Sequence, residues 1–143
     1  MCQFVDLRDK FLTKEIYTIY APCMYQPTWE KFCKKAKHYV ENKNIFIMGA
    51  ITENTIAGVI VLEKQSDGHL FEILGIAVDA ALRQQGIGRK MVQYARENLG
   101  ASEIYAETDD GAVEFYRHCN FEINTHTETF PDGECVRYQC VLK

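Results

Sequence analysis

The chain has 143 residues, 47% apolar and 25% charged, which suits one soluble domain over residues 1–143 with a core of its own. Lys and Arg total 16 against 20 Asp and Glu, a formal net charge of −4. Nucleic acid is therefore not an expected partner, because that affinity comes from many cationic contacts.

Residues Gln3 to Asp6 read as a first strand. Leu12, Ile16, Ile19 and Tyr20 then recur at helical spacing up to a break at Pro22. Pro27 is placed to start a second helix, with Trp29, Phe32, Cys33, Ala36 and Val40 as its apolar stripe. Lys31, Lys34, Lys35 and Lys37 form its solvated face. Three strands follow, over residues 45–51, 56–62 and 69–78, joined by the turns Thr52-Glu53-Asn54-Thr55 and Gln65-Ser66-Asp67-Gly68. A third helix carries Ile87, Met91, Val92, Ala95 and Leu99 on one face and stops at Gly100. After a short strand at 103–107, Asp109 or Asp110 can cap a fourth helix whose face is Ala112, Phe115, Tyr116 and Cys119. Asn120 tolerates the left-handed turn out of it. Strands at 121–129 and 134–142 close the chain around the turn Phe130-Pro131-Asp132-Gly133. The fold class is mixed α/β (α+β), with seven strands and four helices.

Cys2, Cys23, Cys33, Cys119, Cys135 and Cys140 show no C-x-x-C pair, and the N-terminal stretch has no apolar run of signal length. Reduced thiols in a cytoplasmic protein are expected. The longest apolar runs are strand-sized, far short of the ~20 residues that span a membrane, so no membrane partner is expected. His38, His69, His118 and His126 lack metal-ligand spacing, and no metal is expected.

The most informative stretch is Arg83-Gln84-Gln85-Gly86-Ile87-Gly88-Arg89, which leaves a strand and enters a helix. The first N–H groups of a helix lack internal partners, and the helix dipole is positive there, so an anion is stabilised at that end. Gly86 and Gly88 let a phosphate approach the backbone, and Arg83 and Arg89 can add charge-assisted bonds. The alternative is a helix start whose glycines serve packing alone. A Walker A lysine is absent, and the glycines come too late and too few for a dinucleotide fingerprint.

Arg83, Gly86 and Gly88 match the [R/Q]-x-x-G-x-[G/A] signature of the GCN5-related N-acetyltransferase (GNAT) superfamily, which the chain resembles. Ile76-Ala77-Val78 looks like that family's pantetheine-contacting strand. The run from Ala112 to Phe121 resembles its A-x-x-F-Y-x-x-x-G-F segment, with Asn120 in place of the usual Gly. The order of elements matches along the whole chain.

The resemblance implies a mostly antiparallel seven-stranded sheet split between the fourth and fifth strands. It implies acetyl-CoA in that split as co-substrate, held by Ile76, Ala77, Val78 and the residues Arg83, Gln84, Gln85, Gly86, Ile87, Gly88 and Arg89. It also implies direct acetyl transfer to a primary amine, of a small molecule or of a protein; a catalytically silent acyl-CoA-binding domain is the alternative. Tyr116 matches the tyrosine near the CoA sulfur and is the candidate acid; its alternative is a core position. Asp109 and Asp110 stand where many relatives carry an Asn that bonds the pantetheine, and an ionised Asp accepts without donating. The family's bulge is expected near residues 76–78, freeing a backbone N–H for the developing oxyanion.

Glu72 is the candidate base. Apolar neighbours flank it, and burial would raise its pKa toward neutrality. It would act directly or through water; the alternative is an exposed strand end paired with a cation. Tyr25, Trp29 and Phe130, with Glu128, Asp132 and Glu134, are placed to wall an acceptor site. His118 and Cys119 are adjacent on a helix and point about 100° apart, so a covalent relay is not expected. Cys135, Val136, Cys140 and Val141 in the last strand permit a homodimer.

Overall fold

The computed structural model describes residues 2–143; Met1 lies outside the described residues. The chain runs β1 (Gln3–Asp6), α1 (Lys14–Tyr20), α2 (Trp29–Glu41), β2 (Ile45–Thr52), β3 (Thr55–Lys64), β4 (Leu70–Val78), α3 (Ile87–Leu99), β5 (Glu103–Thr108), α4 (Val113–His118), β6 (Glu122–Phe130) and β7 (Gly133–Leu142). The strands form one sheet in the order β1-β2-β3-β4-β5-β7-β6. Every neighbouring pair is antiparallel except β4 and β5.

The helices follow their apolar stripes with local adjustments. Thr13 caps α1 by accepting from the Ile16 N–H at 3.3 Å, so the helix begins after Leu12. Leu12 therefore lies outside the stripe and is 46% exposed, whereas Ile16, Ile19 and Tyr20 are buried. Thr28, not Pro27, sets the start of α2, accepting from the Lys31 N–H at 3.1 Å. Its buried stripe is Phe32, Ala36 and Tyr39, while Trp29, Cys33 and Val40 are only half-buried. Lys31, Lys34, Lys35 and Lys37 are exposed as the charge pattern predicts. Asp109 does not cap α4. Its Oδ1 accepts from the Gly111 N–H at 2.9 Å in a turn of its own, and Ala112 precedes the helix without a side-chain cap. Asp110 instead accepts from the Tyr138 hydroxyl. Asn120 takes φ of 68°, as its place after α4 requires.

Two apolar layers sandwich the sheet. On one face, α3 and α4 cover Met48, Ile60, Leu62, Phe71, Ile73, Ile104 and Ala106. On the other, α1 and α2 cover Ile45, Ile47, Val59, Val61 and Ala77, around the aromatic group Phe11, Tyr20, Phe32 and Tyr39. Ring centroids there lie 5.4–5.8 Å from Phe11, a spacing at which each pair adds about 0.5–1.5 kcal/mol beyond area burial.

Arg8 ties this second layer together. Its guanidinium donates to the carbonyls of Tyr39 at 3.2 Å and Val40 at 2.7 Å, near the C-terminus of α2, and to that of Ile45 at the start of β2. The last carbonyls of a helix have no internal partner, and a cation there also suits the helix dipole. Arg8→Met, which keeps the stem and removes the donors, is expected to cost about 2 kcal/mol in urea unfolding, with the native far-UV spectrum retained.

Candidate active site

The strand β4 is the hinge of the site. Its partner in β3 changes register between Val61, opposite Gly75, and Leu62, opposite Ile73, so Leu74 is an extra residue in the ladder. The bulge thus lies at residue 74, two positions before the expected segment 76–78. A packing constraint acts beside it. A Cβ at Gly75 would fall 2.0 Å from the Tyr20 hydroxyl, so only glycine lets α1 close on the strand there. On its other edge, β4 pairs with β5 through three residues only, Leu70–Glu103, Phe71–Ile104 and Glu72–Tyr105. Beyond these the two strands separate.

The separation opens a cleft of about 1260 Å³. Its floor is residues 73–78 of β4, and Met24 and Tyr25 of the α1–α2 connection stand on one rim. Arg83, Gln84, Gly86, Ile87, Gly88 and Arg89 form one end of it. Glu107, Thr108, Asp109, Phe115, Tyr116, His118, Cys119 and Arg137 are also among its lining residues.

The loop before α3 is shaped for an anion. Gln84 and Gly86 take left-handed φ of 67° and 76°, which turns the chain sharply into α3. A Cβ on Gly86 would meet nothing within 4 Å, so the space in front of the helix is open. At Gly88 a Cβ would fall 2.6 Å from a Phe115 ring carbon, so this glycine lets α4 pack against the start of α3. One glycine serves the backbone turn, and the other serves the packing that the alternative reading expects. Arg83 folds back, its Nε donating to the Val78 carbonyl at 3.3 Å.

Tyr116 is 5% exposed, and among the described residues the bonded tyrosine hydroxyls are those of Tyr20, Tyr39 and Tyr138, not that of Tyr116. Burial, reinforced by the nearby thiols of Cys140, Cys23 and Cys119, holds it protonated well above the usual phenol range. It therefore presents a proton donor to the cleft at neutral pH. Phe115 and Phe121 flank it edge-on at 5.2 Å. His118 is exposed, bonded to the Glu114 carbonyl at 2.8 Å, and Cys119 is buried, so the two do not form a pair.

The carboxylates are arranged otherwise than the sequence suggests. Glu72 is half-buried on the face of β4 opposite α3 and stands behind the cleft lining rather than in it. Its carboxyl is raised above the usual 4.5 by desolvation, then by Glu63, its direct cross-strand partner, and by Glu107. Glu107, which sequence reasoning missed, does line the cleft. It also pushes the neighbouring Tyr105 phenol up to about 12, second to desolvation. Gln85 lies outside the lining, as do Trp29, Phe130, Asp132 and Glu134. Tyr25 is in it, 85% exposed. Sheet register brings together Glu107, His126 and Glu128, whose ligand atoms lie within 4.8 Å of one another, a grouping that chain spacing hides. In the last strand Cys140 is buried in the core, while Cys135 and Val136 are exposed.

Comparison with known proteins agrees with this geometry. The model of the Acetyltransferase (GNAT) family matches residues 13–121. Among solved structures, the ribosomal-protein-S18-alanine N-acetyltransferase from Escherichia coli superposes with a TM-score of 0.73 at 18% identity, over 99% of this chain and 93% of that one. A Bacillus subtilis acetyltransferase in complex with CoA gives 0.70 at 21%, over 99% and 97%. A GNAT family acetyltransferase from Elizabethkingia anophelis with acetyl-CoA bound gives 0.70 at 18%, over 99% and 97%. At these identities the likeness is one of fold. No curated protein matches the chain in sequence.

The Glu72 environment has a measurable consequence. Because its folded pKa is raised, its ionised form is disfavoured in the fold, and the penalty applies above that pKa. Glu72→Gln is expected to melt higher than the wild type at pH 7. The gap should narrow as pH falls through the folded pKa and vanish below the usual 4.5. Thermal melts across pH 4–8 check it.

Proposed function

Because the chain belongs to the acetyltransferase (GNAT) family, we propose that it is an acetyl-CoA-dependent N-acetyltransferase acting by direct attack of a primary amine. One observation carries the reading: a single cleft joins an open helix N-terminus, a buried protonated tyrosine and a carboxylate. The CoA and acetyl-CoA held by two relatives of the same fold support the choice of co-substrate.

In this reading the N–H groups of residues 86–89 hold the pyrophosphate, with Arg83 and Arg89 adding charge. Gln84, Gln85 and Ile87 shape that cradle. Ile76, Ala77 and Val78 run along the pantetheine, and Asp109 borders it. The bulge at Leu74 leaves a backbone N–H near Gly75 free to polarise the thioester carbonyl. An ammonium with a pKa near ~10.4 must lose a proton before it attacks. Glu107 meets it in the cleft, and Glu72 takes the proton from behind through water. The N–C bond forms as the C–S bond breaks. Tyr116 hydrogen-bonds the departing sulfur, which leaves as the thiol. Asp109 remains an acceptor only. Acceptance of a protein amine, as the name of the Escherichia coli relative states for that enzyme, fits the same chemistry as a small amine.

Purified protein, acetyl-CoA and a panel of amines, read by thiol release, test the proposal. Turnover of at least one amine is expected; tight CoA binding without turnover would leave a silent binding domain. On a confirmed substrate, Tyr116→Phe is expected to lower kcat about 100-fold. Its hydroxyl makes no side-chain hydrogen bond among the described residues, so the variant should melt no lower than the wild type. An unchanged kcat would remove Tyr116 from the acid role.

A further inference from the structure

The cleft contains one charged side chain that acetyl transfer does not use. Arg137 lines it, is half-buried, and has no hydrogen bond or ion pair among the described residues. Its place in the sheet shows what it serves. Along β7, Tyr138, Cys140 and Leu142 pack with the α3 and α4 layer. Side chains alternate along a strand, so Arg137 and Gln139 point to the opposite face. The phosphate loop lies on the first face, where Leu82 and Ile87 join the same core. Arg137 is therefore across the sheet from the phosphates.

The same alternation sets Glu107 beside it. Ile104 and Ala106 of β5 face the α3 and α4 layer, and Glu107 faces away. Glu107 pairs with Gln139, so Arg137 is its diagonal neighbour on one face, about 7–8 Å away by strand geometry. Opposite charges at that separation would normally close into an ion pair. No such pair forms among the described residues, and His126 stands directly opposite Arg137 on β6. Its Nε2 donates to Glu128 at 3.1 Å and lies 4.0 Å from Glu107. A metal-ligating imidazole donates its other N–H to a supporting acceptor, whereas His126 Nδ1 is buried with no partner. The imidazole is thus bonded to Glu128 alone, with Glu107 close but unbonded and so available in the cleft. The guanidinium is free as well.

A half-buried guanidinium without a counterion is costly, and its planar fork matches a carboxylate. We propose that the acceptor is a small amine that also bears a carboxylate, of the amino-acid class. Glu107 receives its amine, Arg137 receives its carboxylate, and Met24 and exposed Tyr25 border its side chain. The products are the N-acetyl amino acid and the free thiol, with the amine proton passing to a carboxylate. The inference rests on the acetyltransferase reading and narrows it.

The test compares free amino acids with their carboxamides and their decarboxylated amines, by thiol release from acetyl-CoA. Free amino acids should exceed the matched analogues in kcat/KM by about tenfold or more. Arg137→Gln should erase that preference by raising KM for the amino acid, and Arg137→Lys should restore part of it. Equal or better turnover of the carboxyl-free analogues, or a preference that survives Arg137→Gln, overturns the inference and leaves the acetyltransferase reading intact. No thiol release from any acceptor overturns both.

Discussion

Everything in the site depends on β4 and β5 separating after three paired residues. A parallel pair in the middle of a sheet would ordinarily continue, because each unpaired backbone group left without water costs as much as a lost hydrogen bond. Here the continuation is blocked. The bulge at Leu74 turns the strand, and Tyr20 presses its hydroxyl against Gly75 from the α1 side. Beyond the split β5 stays bound on its far edge to β7, through the pairs Ala106–Cys140, Glu107–Gln139 and Thr108–Tyr138. The two halves of the sheet are each satisfied on their outer sides. The groups on the inner sides are left for solvent or ligand, and they define the cleft.

That geometry divides the charges. On the α3 side, an open helix N-terminus and two arginines favour an anion. On the opposite face, desolvation and then the neighbouring Glu63 and Glu107 raise Glu72. A net charge of −4 gave no hint of this segregation, because it sums over both faces.

Legibility in the sequence followed the range of the interactions. The turn from β4 into α3 was readable because its determinants are adjacent: a strand end, two glycines and a helix start. The meander and the last hairpin were readable from turn residues. Family membership and the split between the fourth and fifth strands followed from motifs and their order. The misses were non-local or turned on competing local bonds. Asp109 forms its own turn instead of a cap, since both use the same side-chain oxygen. Leu12 falls outside its helix because Thr13 caps first. Glu107 and Arg137 lie 30 residues apart in sequence and become neighbours only through the β5–β7 register, which periodicity does not encode. The glycine beside the bulge is required by Tyr20, more than 50 residues away.

Hydrogen exchange with and without CoA tests the account's central claim most directly. The cleft assigns the ligand to the unpaired N–H groups of residues 84–89 and of β4 around 73–77. Those amides should gain protection when CoA binds, while the tip of the β6–β7 hairpin should not change. Protection confined to other segments, or none at saturating CoA, would contradict the placement of the ligand in the split.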